Sequence, residues 1–97
     1  MKIIYSPKSK KNLKDIKNYI SKSNPQNAKQ FLDRLKINIE NLVNFPYKYR
    51  KSIYFDDKNI RDMIFEGYTI IYEIKNNKII ILNIFNQNKG LKWYTFM

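Results

Sequence analysis

Apolar positions along this chain keep two different rhythms, and the change between them falls at Pro46. Lys2 to Tyr5 is β-branched and aromatic, which predicts a short strand closed by Ser6-Pro7. Ser6 is also a good helix N-cap, and Pro7 suits the first helical position, where its missing N–H costs nothing. Leu13, Ile16 and Ile20 then recur at helical spacing among lysines, so an amphipathic helix is expected to about Ser23. Asn24-Pro25 repeats the cap-and-proline signal and opens a second helix. Its apolar stripe is longer: Ala28, Phe31, Leu32, Leu35, Ile39, Leu42 and Val43. Pro46 is expected to end it, because proline breaks the hydrogen-bond ladder and restricts Phe45 before it. The short link predicts an antiparallel helical hairpin.

Beyond Pro46 the pattern shifts to alternation. Tyr47 to Asn59 is polar and basic, a loop with a short extended piece expected at Ile53 to Phe55. Ile60 to Phe65 reads as a strand and Glu66-Gly67 as a tight turn. Tyr68, Ile70, Tyr72 and Ile74 then alternate on one strand face. Asn76-Asn77 tolerates positive φ and predicts a hairpin, with Lys78 to Phe85 returning as a strand. Ile79 to Leu82 is apolar on both faces, so that strand is expected to be central and covered on both sides. The result is an α+β fold in β-α-α-β-β-β order, a helical hairpin packed on a small twisted, mainly antiparallel sheet. One domain is expected over 1–97: a strand at 1–6, the hairpin at 7–45, loop and sheet at 47–85, and a basic-aromatic tail at 86–97.

Composition narrows the chemistry. The chain has 97 residues, no Cys and no His, so disulfides, thiol nucleophiles and the commonest general base are absent. Adjacent Asp56-Asp57 lacks supporting ligands, and neither a metal nor a cofactor is expected. The longest aliphatic run, Ile79 to Leu82, is far short of the roughly 18 to 20 residues of a membrane span, and nothing near Met1 resembles a signal segment. A cytoplasmic location away from membranes is the expectation. Nineteen Lys and Arg against eight Asp and Glu give a net charge of +11, but only three of the cations are Arg. Part of the lysine content matches a general Lys, Asn and Ile bias. The charge therefore supports either a solvated surface or an acidic partner, nucleic acid or protein.

The order of elements, with several residues, resembles the RelE/ParE superfamily of toxins from bacterial type II toxin–antitoxin systems. The residues that carry the resemblance run from Tyr5-Ser6-Pro7 through Asn24-Pro25, Ala28, Phe31-Leu32-Asp33-Arg34-Leu35 and Phe45-Pro46 to Arg50. They continue with Ile60-Arg61-Asp62, Gly67-Tyr68, Ile71-Tyr72, Ile81-Leu82 and Ile84-Phe85. The resemblance is closer to the ParE-type branch. It implies a growth inhibitor neutralised by an acidic cognate antitoxin that folds on binding, with operator DNA reached only through the antitoxin.

The two branches imply different targets, and a third reading is a degenerate, non-toxic chain kept as an antitoxin-binding partner. RelE-type relatives cut messenger RNA in the ribosome with a cluster of Lys, Arg and Tyr. Matched onto this chain, their two lysines fall at Ile60 and Asp62, one arginine at Thr69 and another at Lys89, while the tyrosine falls at Thr95, beside Tyr94. Three cations are lost, which counts against cleavage. ParE-type relatives inhibit DNA gyrase without cutting a substrate, so no catalytic residue is assigned. If the chain were a nuclease, Arg61, Lys89 and Tyr94 would be the candidates. Arg61 is expected to point away from the Ile60 and Asp62 side, either to bind the target or to pair with Asp62, Glu73 or a helix carboxylate. Target-binding candidates are Arg50, Arg61, Lys89, Lys92, Trp93 and Tyr94. The last four belong to a tail that can equally pack on the helices through Leu91, Trp93 and Phe96. Phe31, Leu35, Ile39 and Leu42 are read as core or as part of an antitoxin groove. A second basic-aromatic cluster, Lys48, Tyr49, Arg50 and Lys51 with Tyr47 and Tyr54, is either a binding surface or an edge loop whose lysines discourage strand pairing.

Overall fold

Local signals set both helix starts. A computed structural model describes residues 1–86. β1, Lys2–Tyr5, runs into Ser6, whose Oγ accepts from the Ser9 N–H at 3.0 Å and caps α1, Pro7–Ser21. The helix stops two residues short of the expected Ser23, where the Ser23 and Asn24 N–H groups both turn back to the Ile20 carbonyl. The Asn24 side-chain oxygen then accepts from the Gln26 and Asn27 N–H groups and caps α2, Pro25–Glu40. Proline is not what ends this helix. The chain tightens into a 3-10 turn at Asn41–Val43, which keeps Leu42 buried while bending the chain before Pro46 is reached.

The sheet has the order β1-β5-β4-β3-β2, with β2 at Arg50–Lys51, β3 at Ile60–Phe65, β4 at Tyr68–Lys75 and β5 at Lys78–Asn86. β1 is parallel to β5 and the other pairs are antiparallel. Glu66 and Gly67 (φ 47° and 85°) turn β3 into β4, and Asn76 and Asn77 (φ 52° and 59°) turn β4 into β5. Two consecutive positive φ values match the right-handed twist of the flanking strands, which Asn and Gly adopt at low cost.

The expected strand at Ile53 to Phe55 is displaced to Arg50–Lys51, which pairs with Asp62 and Arg61. The Ile53 N–H donates instead to the Asp62 carboxylate at 3.1 Å, so a side chain ends the ladder there. A bulge interrupts β5: Ile71 faces Asn83 while Tyr72 faces Ile81, leaving Leu82 as the extra residue. The bulge resets which side chains face the helices, so Ile79, Ile81 and Ile84 all reach the main core.

That core lies between the hairpin and one face of the sheet. Ile16, Phe31, Leu35, Ile39 and Leu42 meet Met63, Tyr68, Ile70, Tyr72 and Ile74, in addition to the β5 isoleucines. Alternation on β4 therefore holds as expected. Phe31, Leu35, Ile39 and Leu42 are all buried. Of the two readings given to these four, their packing against the sheet supports core. The opposite face carries a smaller cluster of Ile60, Ile71 and Phe85, with Tyr54 and Leu82 half-buried beside it. β5 lies inside the sheet, between β1 and β4, but Ile80 and Leu82 are only half-buried, because among the described residues no helix covers that face. No helix among the described residues is long and apolar enough to cross a membrane.

Candidate functional site

Strand register places every described position of the nuclease comparison on the sheet face opposite the helical hairpin. The rows crossing β3, β4 and β5 are Ile60–Glu73–Ile80, Asp62–Ile71–Asn83 and Ile64–Thr69–Phe85. Arg50 extends the middle row from β2. Ile60, Asp62 and Thr69 are all buried, so none is available to a substrate. The face also carries unsatisfied groups: Asp62 Oδ1, Thr69 Oγ1 and Asn83 Oδ1 are buried without a hydrogen-bond partner among the described residues.

Asp62 is the organising residue of this face. Its Oδ2 accepts from the Ile53 N–H and lies 3.4 Å from Arg50 Nη2. Asp62 is fully buried whereas the Arg50 side chain remains half exposed, so the pair joins a dry carboxylate to a wet guanidinium. The Asp62 charge is turned inward, toward Arg50. Nearby, Tyr54 packs edge-on against Phe85 with centroids 5.6 Å apart. Burial, then the charge of Asp62, pushes the Tyr54 phenol above its usual range. A charged residue inside an otherwise apolar strand was the available signal for Asp62, but nothing local named its partner.

Arg61 points to the other face, as strand alternation requires. None of its expected carboxylate partners is engaged. Its Nε donates to the Lys58 carbonyl at 3.0 Å and Nη1 to the Tyr49 carbonyl at 3.1 Å. Its guanidinium stacks over the Tyr47 ring, 4.9 Å from the centroid. Tyr47 in turn donates to the Asn59 side chain at 3.0 Å. Tyr72, fully buried beneath, donates its hydroxyl to the Pro46 carbonyl at 2.6 Å. Burial raises the Tyr72 phenol well above its ordinary value, so the hydroxyl stays a donor. These contacts hold residues 46–49 from below and leave Phe45 and Tyr47 at the surface, 70% and 51% exposed.

The structure thus brings Arg50 and Arg61 to the β2–β3 edge, one on each face of the sheet. Lys89, Lys92, Trp93 and Tyr94 lie outside the described residues. The Tyr72–Pro46 tie and the exposure of Phe45 were invisible to periodicity, because both depend on how the loop folds over the sheet.

Among solved structures, one described as the chromosomal ParDE TA system from P. aeruginosa contains a chain with the same fold. The TM-score is 0.72 at 17% identity, covering 89% of this chain and 95% of that one. The two chains share an α+β fold. A search of curated proteins finds no match by sequence. The family described as "ParE toxin of type II toxin-antitoxin system, parDE" matches residues 3–90, and the chain belongs to that family.

Proposed function

We propose that this ParE-family toxin arrests growth by inhibiting DNA gyrase, is neutralised by an acidic cognate antitoxin, and cleaves no substrate itself. The observation that carries the absence of cleavage is the composition of the sheet face opposite the helical hairpin. Stabilising the crowded charge of a phosphoryl transfer requires cations aimed at the reacting phosphate. The positions matched to such cations here are Ile60, Asp62 and Thr69, all buried, and the charge among them is a carboxylate. Arg61, a nuclease candidate among the described residues, gives two of its N–H groups to backbone carbonyls from the other side of the sheet.

The +11 charge supports the antitoxin part of this reading, since an acidic segment would be attracted over a wide surface. Gyrase supercoiling assayed with purified toxin is the direct test. Inhibition that disappears on adding the antitoxin is expected. Supercoiling that stays untouched over a wide concentration range, with cuts appearing instead in translated messages, would reject gyrase and restore the nuclease reading.

A further inference from the structure

We propose that the loop from Phe45 to Lys51, with Arg61 behind it, is a binding site for single-stranded DNA. The loop shows the three features such a site needs: exposed rings, cations beside them and groups able to read base edges. Phe45 stands as a wall shared by two surface hollows. One, of about 330 Å³, is lined by Asn38, Asn41, Asn44, Lys48 and Tyr49 together with Phe45. The other, of about 590 Å³, is lined by Asn44, Phe45, Pro46, Tyr47 and Lys48. Neither hollow is lined by a carboxylate.

Each tyrosine of the loop already has a cation over its ring: Arg61 at 4.9 Å from the Tyr47 centroid, and Lys48 at 5.4 Å from that of Tyr49. Lys51 follows on the same sheet face as Arg61, and its side chain is about half exposed. Lys51 also pairs with the exposed Asp56, a contact that phosphate can compete for. The rings are preorganised, because Tyr72, Arg61 and Asn59 fix the loop from beneath. Little ordering entropy remains to be lost when a ligand stacks. The exposed rings favour bases over an acidic peptide, since carboxylates could pair with the cations but would leave the ring faces without a stacking partner. The choice of DNA among nucleic acids rests on the gyrase reading, whereas the site itself rests on this geometry.

The test is fluorescence anisotropy of a short labelled oligothymidylate with the full chain. Phe45→Ala is expected to weaken binding at least about fivefold with an unchanged salt slope, because the ring carries no charge. Lys48→Ala should weaken binding and make the slope shallower. Tyr47→Phe, which keeps the ring but loses the tie to Asn59, should weaken binding less than Phe45→Ala does. Phe45 is exposed, so its removal should leave the fold intact, and far-UV circular dichroism checks this. The proposal is overturned if Phe45→Ala binds within about twofold of the parent. It is equally overturned if polyglutamate displaces the oligonucleotide as well as unlabelled DNA does, or if oligouridylate binds more tightly. Supercoiling measured on the same preparations separates the two readings: inhibition without oligonucleotide binding overturns the site alone, and binding without inhibition overturns gyrase alone.

Discussion

Arg50 and Asp62 stand directly opposite each other across β2 and β3, the guanidinium half in water and the carboxylate wholly out of it. A carboxylate buried this way is tolerable because an ion pair and the Ile53 N–H both serve one oxygen. Asp62→Ala should therefore cost about 1–3 kcal/mol, as Ile53 loses its acceptor while Arg50 can still turn to solvent. Arg50→Ala should cost more than a surface pair would, since it leaves the buried carboxylate without its cation. Urea unfolding of both variants checks the order; a loss below about 0.5 kcal/mol for each would mean that the pair is ornamental to the fold.

The Tyr72 hydroxyl holds the Pro46 carbonyl from inside the core. Tyr72→Phe should lose about 1–2 kcal/mol by stranding that carbonyl. The same change should raise proteolytic nicking between residues 45 and 51, because the loop loses its tie to the sheet.

Four tyrosines, Tyr5, Tyr54, Tyr68 and Tyr72, are held neutral chiefly by burial, with their ionisation pushed upward. A raised phenol contributes its stability fully below the unfolded value near 10 and loses it as pH climbs through the folded value. Stability should accordingly be flat toward pH 9 and fall above about pH 10, by up to about 1.4 kcal/mol per pH unit for each tyrosine that ionises only on unfolding. Denaturant midpoints measured across this range test the slope, and Tyr72→Phe should make it shallower.

On the acid side the relevant contact is Glu66 with Arg34. Arg34 donates twice to the Glu66 carboxylate, at 2.9 and 3.0 Å, joining α2 to the β3–β4 turn. Those hydrogen bonds hold Glu66 below its usual value. A depressed carboxylate contributes above its unfolded pKa and loses that contribution as pH falls through the folded one. Because both groups are exposed the effect is small and screened by salt. Glu66→Gln should flatten the acid limb of the stability profile slightly at low salt and leave it unchanged at high salt.

The two faces of α2 provide an internal comparison. Leu35→Ala should cost about 2–5 kcal/mol, since Leu35 is fully buried against the sheet. Ile37→Ala, at an exposed position on the same helix, should stay within about 0.5 kcal/mol. Thermal or urea unfolding of the two variants would show whether the free toxin closes this core by itself.

Much of this architecture was legible in the residues because it is local. Ser6-Pro7 and Asn24-Pro25 start helices wherever they lie, since capping needs only the next few N–H groups. Glu66-Gly67 and Asn76-Asn77 turn because neighbouring backbone sterics allow it. The stripe of α2 and the alternation of β4 predict burial because each element must hide one face. What eluded such reading joins residues distant along the chain. The placement of β1 beside β5, the Arg50–Asp62 pair, the Arg61 contacts and the Tyr72–Pro46 tie all depend on strand order and register. A single extra residue, Leu82, reversed which β5 side chains meet the helices. The functional surface belongs to this second group: a ring such as Phe45 has the same chemistry in a core or in water, and the packing of a whole chain decides which it meets.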